Sequence, residues 1–343
     1  MSRNILVLGG AGYVGSHTCK ALSEAGYNPV VYDNLSQGFE WAVRWGPLEV
    51  GDARAEARLR EVFAKYQPAA LFHFAGFIAV GESVQKPDLY YDNNINGLLS
   101  VLKIAREFEV KNMVFSSSAA IYGNPEKTPI PEDHPKKILN PYAATKYMSE
   151  LMLGDYDKAF GFGSVSLRYF NAAGADANGE AGEAHEPETH LIPLAFRALY
   201  DPGFTLSVFG SDYDTADGTA VRDYVHVTDL ADAHVRALKY LEKGGASAAF
   251  NLGSGKGYSV REIIKTIEEV AGKPLRSKEA PRRAGDPAIL VADIKKAEKV
   301  LGWVPNYSDL ETIIKTADAW EKNRWAGKFP NPLSRNKPDL GSL

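Results

Sequence analysis

Through the first half of the chain, short apolar runs alternate with stretches in which apolar residues recur every three or four positions. The runs are Ile5 to Leu8, Pro29 to Tyr32, Leu48 to Val50, Ala70 to Phe74, Met113 to Phe115 and Val165 to Arg168. Several are apolar at successive positions, as in parallel strands buried on both faces. The periodic stretches between them predict helices over Ser16 to Ala25, Arg58 to Tyr66, Pro87 to Glu107 and Ala143 to Phe160. This alternation predicts an α/β protein built on a doubly wound parallel sheet with right-handed crossovers. Past Asn171 the texture changes. Residues 172–188 and 210–219 are rich in Gly, Ala, Asp, Glu and Pro and read as long loops, and loops of that length in a compact domain tend to be functional. Phe250 to Leu252 predicts a further strand, and Ser259 with Glu262 a capping box for the helix that follows. The segment beyond Trp325, rich in Pro, Asn, Lys and Gly, reads as a loose terminus.

Composition narrows the function classes. The chain has 343 residues, long for one core, and 45% of them are apolar. With 39 basic against 43 acidic residues the net charge is -4, and there is no basic run, so neither nucleic acid nor an anionic membrane is an expected partner. Cys19 is the only cysteine, which excludes an intrachain disulfide and is compatible with a reducing compartment. The N-terminal strand follows Arg3 directly, with no longer hydrophobic segment ahead of a cleavage site. A cytoplasmic protein is the expectation.

Gly9, Gly12 and Gly15 form a GxxGxxG loop between the first strand and the first helix. Glycines there let the backbone approach a pyrophosphate, and the helix N-terminus adds N–H donors and a positive dipole end. Asp33 ends the second strand, where a carboxylate bonds both hydroxyls of an adenosine ribose and repels a 2′-phosphate, which favours NAD over NADP. Asp52 follows the third strand, either as partner of the adenine amino group or as N-cap of a helix beginning near Ala53. Downstream, Tyr142 and Lys146 stand four residues apart, on one face of a helix, just after the triple serine Ser116 to Ser118. An ammonium close to the phenol, with a cationic nicotinamide nearby, lowers a pKa that starts near ~10 and makes Tyr142 a base near neutral pH. By itself such a pair is most often a solvated or core contact; the glycine loop upstream argues for chemistry.

These pieces stand in a recognisable series. It includes Gly9-Gly10-Ala11-Gly12-Tyr13-Val14-Gly15-Ser16-His17-Thr18, His73-Phe74-Ala75-Gly76, Val80-Gly81-Glu82-Ser83 and Ser116 to Gly123. Asn140-Pro141-Tyr142, Arg168-Tyr169-Phe170-Asn171, Phe209 to Thr215, Asp217-Gly218-Thr219 and Val221 to Val227 continue it. In order and spacing, from residue 4 to about residue 322, the chain resembles the extended short-chain dehydrogenase/reductase family and, within it, the UDP-glucose 4-epimerases. The resemblance implies a Rossmann domain over 1–175, with segments near 221–255 returning to it, and a smaller C-terminal α/β substrate domain over 176–343 that mainly binds a UDP-sugar. It implies NAD, tightly bound and recycled, among Gly9, Gly12, Tyr13, Val14, Gly15, Asp33, Asn34, Asp52, Ala53, Phe74, Ala75, Gly76, Asn93, Ser116, Tyr142, Lys146 and Tyr169. Tyr142 is then the base, with Lys146 beside it and Ser118 shared between the tyrosine and the sugar oxygen. Substrate contacts fall on Ser118, Tyr142, Asn171, His190, Leu191, Phe209, Arg222, Arg283, Asp286 and Leu290. The implied reaction is reversible oxidation at C4 of the hexose through a 4-keto sugar that turns over in the pocket and is reduced on its other face.

Departures from the family pattern bear on specificity. Ile78 stands where many members place a lysine near the cofactor, and His190 where others have asparagine. His190 either bonds the diphosphate region or closes its loop. Leu290 holds the position whose size gates N-acetylated sugars, and its bulk favours UDP-glucose and UDP-galactose; UDP-xylose and UDP-arabinose still fit. Related dehydratases carry Thr-Asp-Glu where this chain has Ser118-Ala119-Ala120, and alanines cannot transfer protons. A catalytically silent nucleotide-binding protein would be expected to lack Tyr142, Lys146 or Ser118, and all three are present. His185 to His190 mixes metal-ligand types, but Pro187 and the spacing do not put two histidines on one helical face, so no metal is expected. The family also implies a homodimer.

Overall fold

In the computed structural model residues 3–283 and 286–329 are described; from residue 330 on, the expected loose terminus lies outside the described residues. The chain opens with β1 (Asn4–Leu8), α1 (Tyr13–Glu24), β2 (Asn28–Asp33), β3 (Leu48–Val50), α2 (Glu56–Tyr66) and β4 (Ala70–His73). It continues with α3 (Val80–Gln85), α4 (Pro87–Tyr90), a π-helical turn over Tyr91–Asn96, α5 (Gly97–Glu107), β5 (Asn112–Ser118), α6 (Pro141–Phe160) and β6 (Gly163–Tyr169). Next come β7 (Asn171–Ala173), α7 (Leu191–Tyr200), β8 (Leu206–Phe209), β9 (Val221–His226), α8 (Val227–Glu242) and β10 (Ala248–Leu252). The last described elements are β11 (Gly257–Ser259), α9 (Val260–Ala271), β12 (Ser277–Ala280), β13 (Ile289–Leu290), α10 (Lys295–Leu301) and α11 (Leu310–Trp325).

The apolar runs become a seven-stranded sheet in the order β3-β2-β1-β4-β5-β6-β10, with every neighbouring pair parallel. β1 shows why continuous apolarity signals such a strand. Ile5 and Val7 face a core with Cys19 and Leu22 of α1 and Leu230 of α8, while Leu6 and Leu8 face a second core with Leu59 and Phe63 of α2 and Leu98 of α5. Alternation of side chains along the strand therefore serves two buried layers at once. The strand order reverses between β1 and β4, which opens a crevice beyond their carboxyl ends. Residues 227–252 return to this sheet, since α8 packs on α1 and β10 pairs with β6.

The remaining strands are short. β9 pairs with β11, β13 and β7, and β8 pairs with β12. β9 thus joins the small sheet, although it falls within the segment expected to rejoin the large one. Periodicity does not mark β9, because two- to six-residue strands paired across 34 or more residues leave no local signature. A third core, with Ile192 and Phe196 of α7, Ile263 and Ile267 of α9, and Ile313 and Ile314 of α11, lies under this part. The capping box at Ser259 and Glu262 is formed as the sequence predicts. The stretch from Pro87 to Glu107, expected as one helix, instead contains the π-helical turn, which carries Asn93 and Asn94. The Asn94 amide holds it there: Phe77 N donates to Oδ1 at 2.8 Å, and Nδ2 donates to Thr145 Oγ1 at 3.0 Å. Such widened turns often occur at functional sites.

α6 begins at a well-made cap, with Asn140 Oδ1 accepting from Ala143 N at 2.9 Å and Pro141 in the first turn. It is fixed to the sheet by a buried ion pair. Arg168 of β6 donates to both oxygens of Glu150 of α6, from Nε at 2.9 Å and Nη2 at 2.6 Å, and Ser117 Oγ of β5 donates to the same carboxylate at 2.5 Å. Both side chains are at most 10% exposed. Removing one partner of such a pair strands a buried charge. Arg168→Met is therefore expected to lose about 3 to 5 kcal/mol of stability in urea unfolding, and a second change, Glu150→Met, to recover part of it; equal stability of the single variant and the parent would refute this.

Candidate functional site

At the carboxyl ends of β1, β2, β4, β5 and β6 lies a cleft of about 530 Å³. Its floor at β1 is backbone. Gly9 has φ +79°, a conformation that glycine tolerates, and a Cβ there would meet Ala75 N at 2.5 Å. A Cβ on Gly15 would overlap the Gly9 carbonyl oxygen and come within 2.9 Å of Gly10 Cα. The first turn of α1 therefore lies directly on the loop, with its N–H groups at the cleft. Asp33 sits at the rim, where Oδ2 accepts from Ala11 N at 3.0 Å and Oδ1 from Leu35 N at 2.8 Å. These features suit a dinucleotide: a side-chain-free cradle, a helix N-terminus and a carboxylate at the end of β2.

Gly12, Tyr13, Val14, Asn34, Ala53, Phe74, Ala75, Gly76, Asn93, Ser116 and Tyr169 also line the cleft, as does Ile78. Asp52 does not. Arg54 donates to it from Nε and Nη2 at 2.8 and 2.7 Å, Asn34 Nδ2 donates at 3.0 Å, and Arg54 chiefly holds the carboxyl down at about 2. Nor is Asp52 a helix cap, because α2 starts at Glu56 after Ala55. Phe39 and Trp41, their rings stacked 5.4 Å apart, form part of the wall and were not among the expected site residues.

The expected catalytic trio meets at the base of the cleft. Tyr142 and Lys146 both line it and both are buried, with Lys146 only 5% exposed. Lys146 Nζ donates to Ser116 O at 2.7 Å and lies 5.2 Å from the Phe115 ring centroid and 5.9 Å from that of Tyr142. Burial lowers its pKa to about 8, opposed by the charge of Glu150 one turn along α6. Burial likewise pushes the Tyr142 phenol above its usual value, opposed by a hydrogen bond with Ser118. In the protein alone the phenol is thus shifted opposite to the direction a neutral-pH base needs, because both members of the pair are desolvated. Ala120 N donates to Ser118 Oγ at 3.1 Å, which orients that hydroxyl. The Ser116 hydroxyl pairs with the Tyr169 hydroxyl.

The expected substrate residues divide into two groups. Asn171 and His190 line the cleft, and Asn171 Nδ2 donates to Asp223 O at 2.8 Å. Leu191 opens α7 immediately after His190. Phe209, Arg222, Arg283, Asp286 and Leu290 lie off the cleft wall around β8, β9 and β13. There Arg222 is ion-paired with Asp286, the Arg283 guanidinium stands 4.1 Å from the Phe209 ring centroid, and Leu290 is in register with Arg222. Leu290 and Phe170 both pack against the small core of Ala119, Ile121, Tyr122 and Ile130, and Phe170 lines the cleft, so that core links the two groups. Four side chains of one loop, Glu183, His185, Glu188 and His190, come together at the far wall, although no helix carries them. The absence of helical spacing therefore did not keep these ligand types apart.

Because a methyl at Gly15 has only backbone to meet, Gly15→Ala is expected to fold yet lose dinucleotide, read as nucleotide released from the denatured purified protein. Undiminished nucleotide content would show that the loop is not the cradle.

A family model described as NAD dependent epimerase/dehydratase family matches residues 5–253. The chain is 54% identical to UDP-glucose 4-epimerase of Rhizobium leguminosarum bv. trifolii over 92% of its own length and 96% of that protein. A solved UDP-glucose 4-epimerase from Brucella ovis in complex with NAD superposes with a TM-score of 0.90 at 50% identity, covering 93% of this chain and 98% of the other. The enzyme from Bifidobacterium longum, in complex with NAD+ and UDP, gives 0.88 at 40% identity, covering 96% and 99%. With its glycine cradle, its Tyr142 and Lys146 pair and these likenesses over nearly its whole length, the chain belongs to the NAD dependent epimerase/dehydratase family.

Proposed function

We propose that this protein interconverts UDP-glucose and UDP-galactose by reversible oxidation at C4, with NAD retained throughout. The observation that carries this reading is the meeting of Tyr142, Lys146 and Ser118 at the base of a cleft shaped for a dinucleotide. Ala119 and Ala120, which follow Ser118, offer no acid or base for an elimination. Bound NAD would supply a hydride acceptor and then a hydride donor at C4, so that oxidation and re-reduction of the sugar leave no net redox change.

The remaining work falls to side chains. Tyr142 Oη takes the proton of the 4-hydroxyl and gives it back. Ser118 Oγ already accepts from Ala120 N, so its single hydrogen is available to the phenolate or the sugar oxygen. Lys146 uses one of three N–H donors on Ser116 O and presents its charge to the Tyr142 ring. Binding falls on the uridine diphosphate: Arg222 and Arg283 neutralise phosphates with paired donors, Phe209 packs on uracil, and Asp286 accepts from ribose, with Asn171, His190 and Leu191 completing the contacts. The hexose is left with few fixed contacts and can rotate between the two transfers. Leu290 excludes N-acetyl groups, so glucose and galactose forms are preferred.

The protein works as a cytoplasmic homodimer in this reading. Met148 and Leu151 of α6, 40% and 51% exposed, together with Val84 of α3 at 60%, support an apolar contact with a second copy. Among the described residues no helix is long and apolar enough to cross a membrane.

Purified protein without added cofactor is expected to convert UDP-galactose to UDP-glucose, faster than UDP-N-acetylgalactosamine, with the products resolved by chromatography. Tyr142→Phe is expected to lose at least about 100-fold in turnover, the scale of a positioned base, while still binding UDP. No conversion of UDP-galactose even after NAD is supplied, or an unimpaired Tyr142→Phe, would defeat the proposal.

A further inference from the structure

The loop at the far wall of the cleft gathers two imidazoles and two carboxylates. His185 Nδ1 and His190 Nδ1 lie 3.1 and 2.7 Å from the same oxygen, Glu183 Oε1. Glu188 adds Oε1 at 3.1 Å from His190 Nδ1 and Oε2 at 3.8 Å from His185 Nδ1. One ligand atom from each residue falls within 4.8 Å of all the others. In a tetrahedral zinc site the ligand atoms stand roughly 3.3 Å apart, given metal–ligand bonds of about 2.0 to 2.1 Å. The observed separations bracket that edge.

Two further observations point to a ligand. Glu188 Oε2 is buried and makes no hydrogen bond, so one carboxylate oxygen directed at the cluster is unsatisfied. The loop is also built rather than slack. Trp320 Nε1 donates to Glu183 O at 2.8 Å, the Trp320 ring fills the space a side chain at Gly182 would need, and the Tyr13 ring meets His185 edge-on at 6.3 Å.

We propose that Glu183, His185, Glu188 and His190 form a binding site for one borderline divalent cation of the zinc class, held by two imidazole nitrogens and two carboxylate oxygens. The donor set suits Zn²⁺, and Co²⁺ as its spectroscopic substitute, over the all-oxygen preference of Mg²⁺ or Ca²⁺. A cation there cross-links residues 183 and 190 and stiffens the cleft wall between Tyr13 and α7, apart from the Tyr142 centre.

The test uses full-length, NAD-loaded protein washed with a chelator, titrated with Zn²⁺ by calorimetry and with Co²⁺ by visible absorption. The parent is expected to bind one more equivalent of Zn²⁺ than His185→Gln/His190→Gln, and to give with Co²⁺ the intense absorption of a four-coordinate ion, which the double variant lacks. Glu188→Gln, which keeps the size of the side chain and removes one anionic ligand, is expected to weaken binding by at least about tenfold, and it decides the matter if the double variant does not fold. Equal zinc stoichiometry in parent and double variant, no binding by the parent, or unchanged affinity in Glu188→Gln would overturn the site and leave a hydrogen-bonded histidine–carboxylate network.

Discussion

An ammonium group buried at the junction of α6 and β5 is the constraint on which the site depends. Lys146 is 5% exposed, and such a charge is costly unless its donors find partners and its field is put to use. Here Nζ donates to the Ser116 carbonyl, and the faces of Phe115 and Tyr142 lie within 6 Å, close enough for the ring quadrupoles to offset part of the lost hydration. The same bond fixes α6 against the strand that carries Ser116 and Ser118, so the position of Tyr142 follows from that of Lys146.

The surrounding fold makes that constraint tolerable. Glu150, one turn further along α6, opposes the loss of charge on Lys146 and is itself held by Arg168 and Ser117. Arg168 also donates to the Tyr122 hydroxyl at 2.9 Å, and that hydroxyl donates to Asn251 Oδ1 at 2.7 Å, so the network runs from α6 across β6 to β10. A strand near residue 250 thereby helps set a geometry defined near residue 146. This is a structural reason for the chain to return to the large sheet after its excursion through the small one.

What the sequence made legible was local or repeated at a fixed period. The strands buried on both faces, the glycine turn between β1 and α1, the capping box at Ser259 and the i, i+4 relation of Tyr142 and Lys146 each depend on residues within a few positions of one another. Less legible was anything decided by distant contacts. The π-helical turn at Asn93 is stabilised through Asn94 by Phe77 and Thr145, far apart in the chain. Arg54 and Asn34 donate to the Asp52 carboxylate and α2 starts beyond it at Glu56, an arrangement decided by side-chain packing that the local pattern does not mark. The loop from Glu183 to His190 has no period at all, so its convergence depends on Trp320 and Tyr13, at opposite ends of the chain.

Burial alone raises the Tyr142 phenol, so the account requires positive charge in the assembled site, with Lys146 as the protein's contribution, to bring it down. The most direct test is an ultraviolet difference titration of NAD-loaded protein against Tyr142→Phe, which isolates the ionisation of this one tyrosine, repeated in a Lys146→Met background. The account predicts a phenol that ionises well below its ordinary value of ~10 in the parent and moves upward when the lysine charge is removed. A midpoint at or above the ordinary value in the parent, unmoved by loss of Lys146, would contradict it.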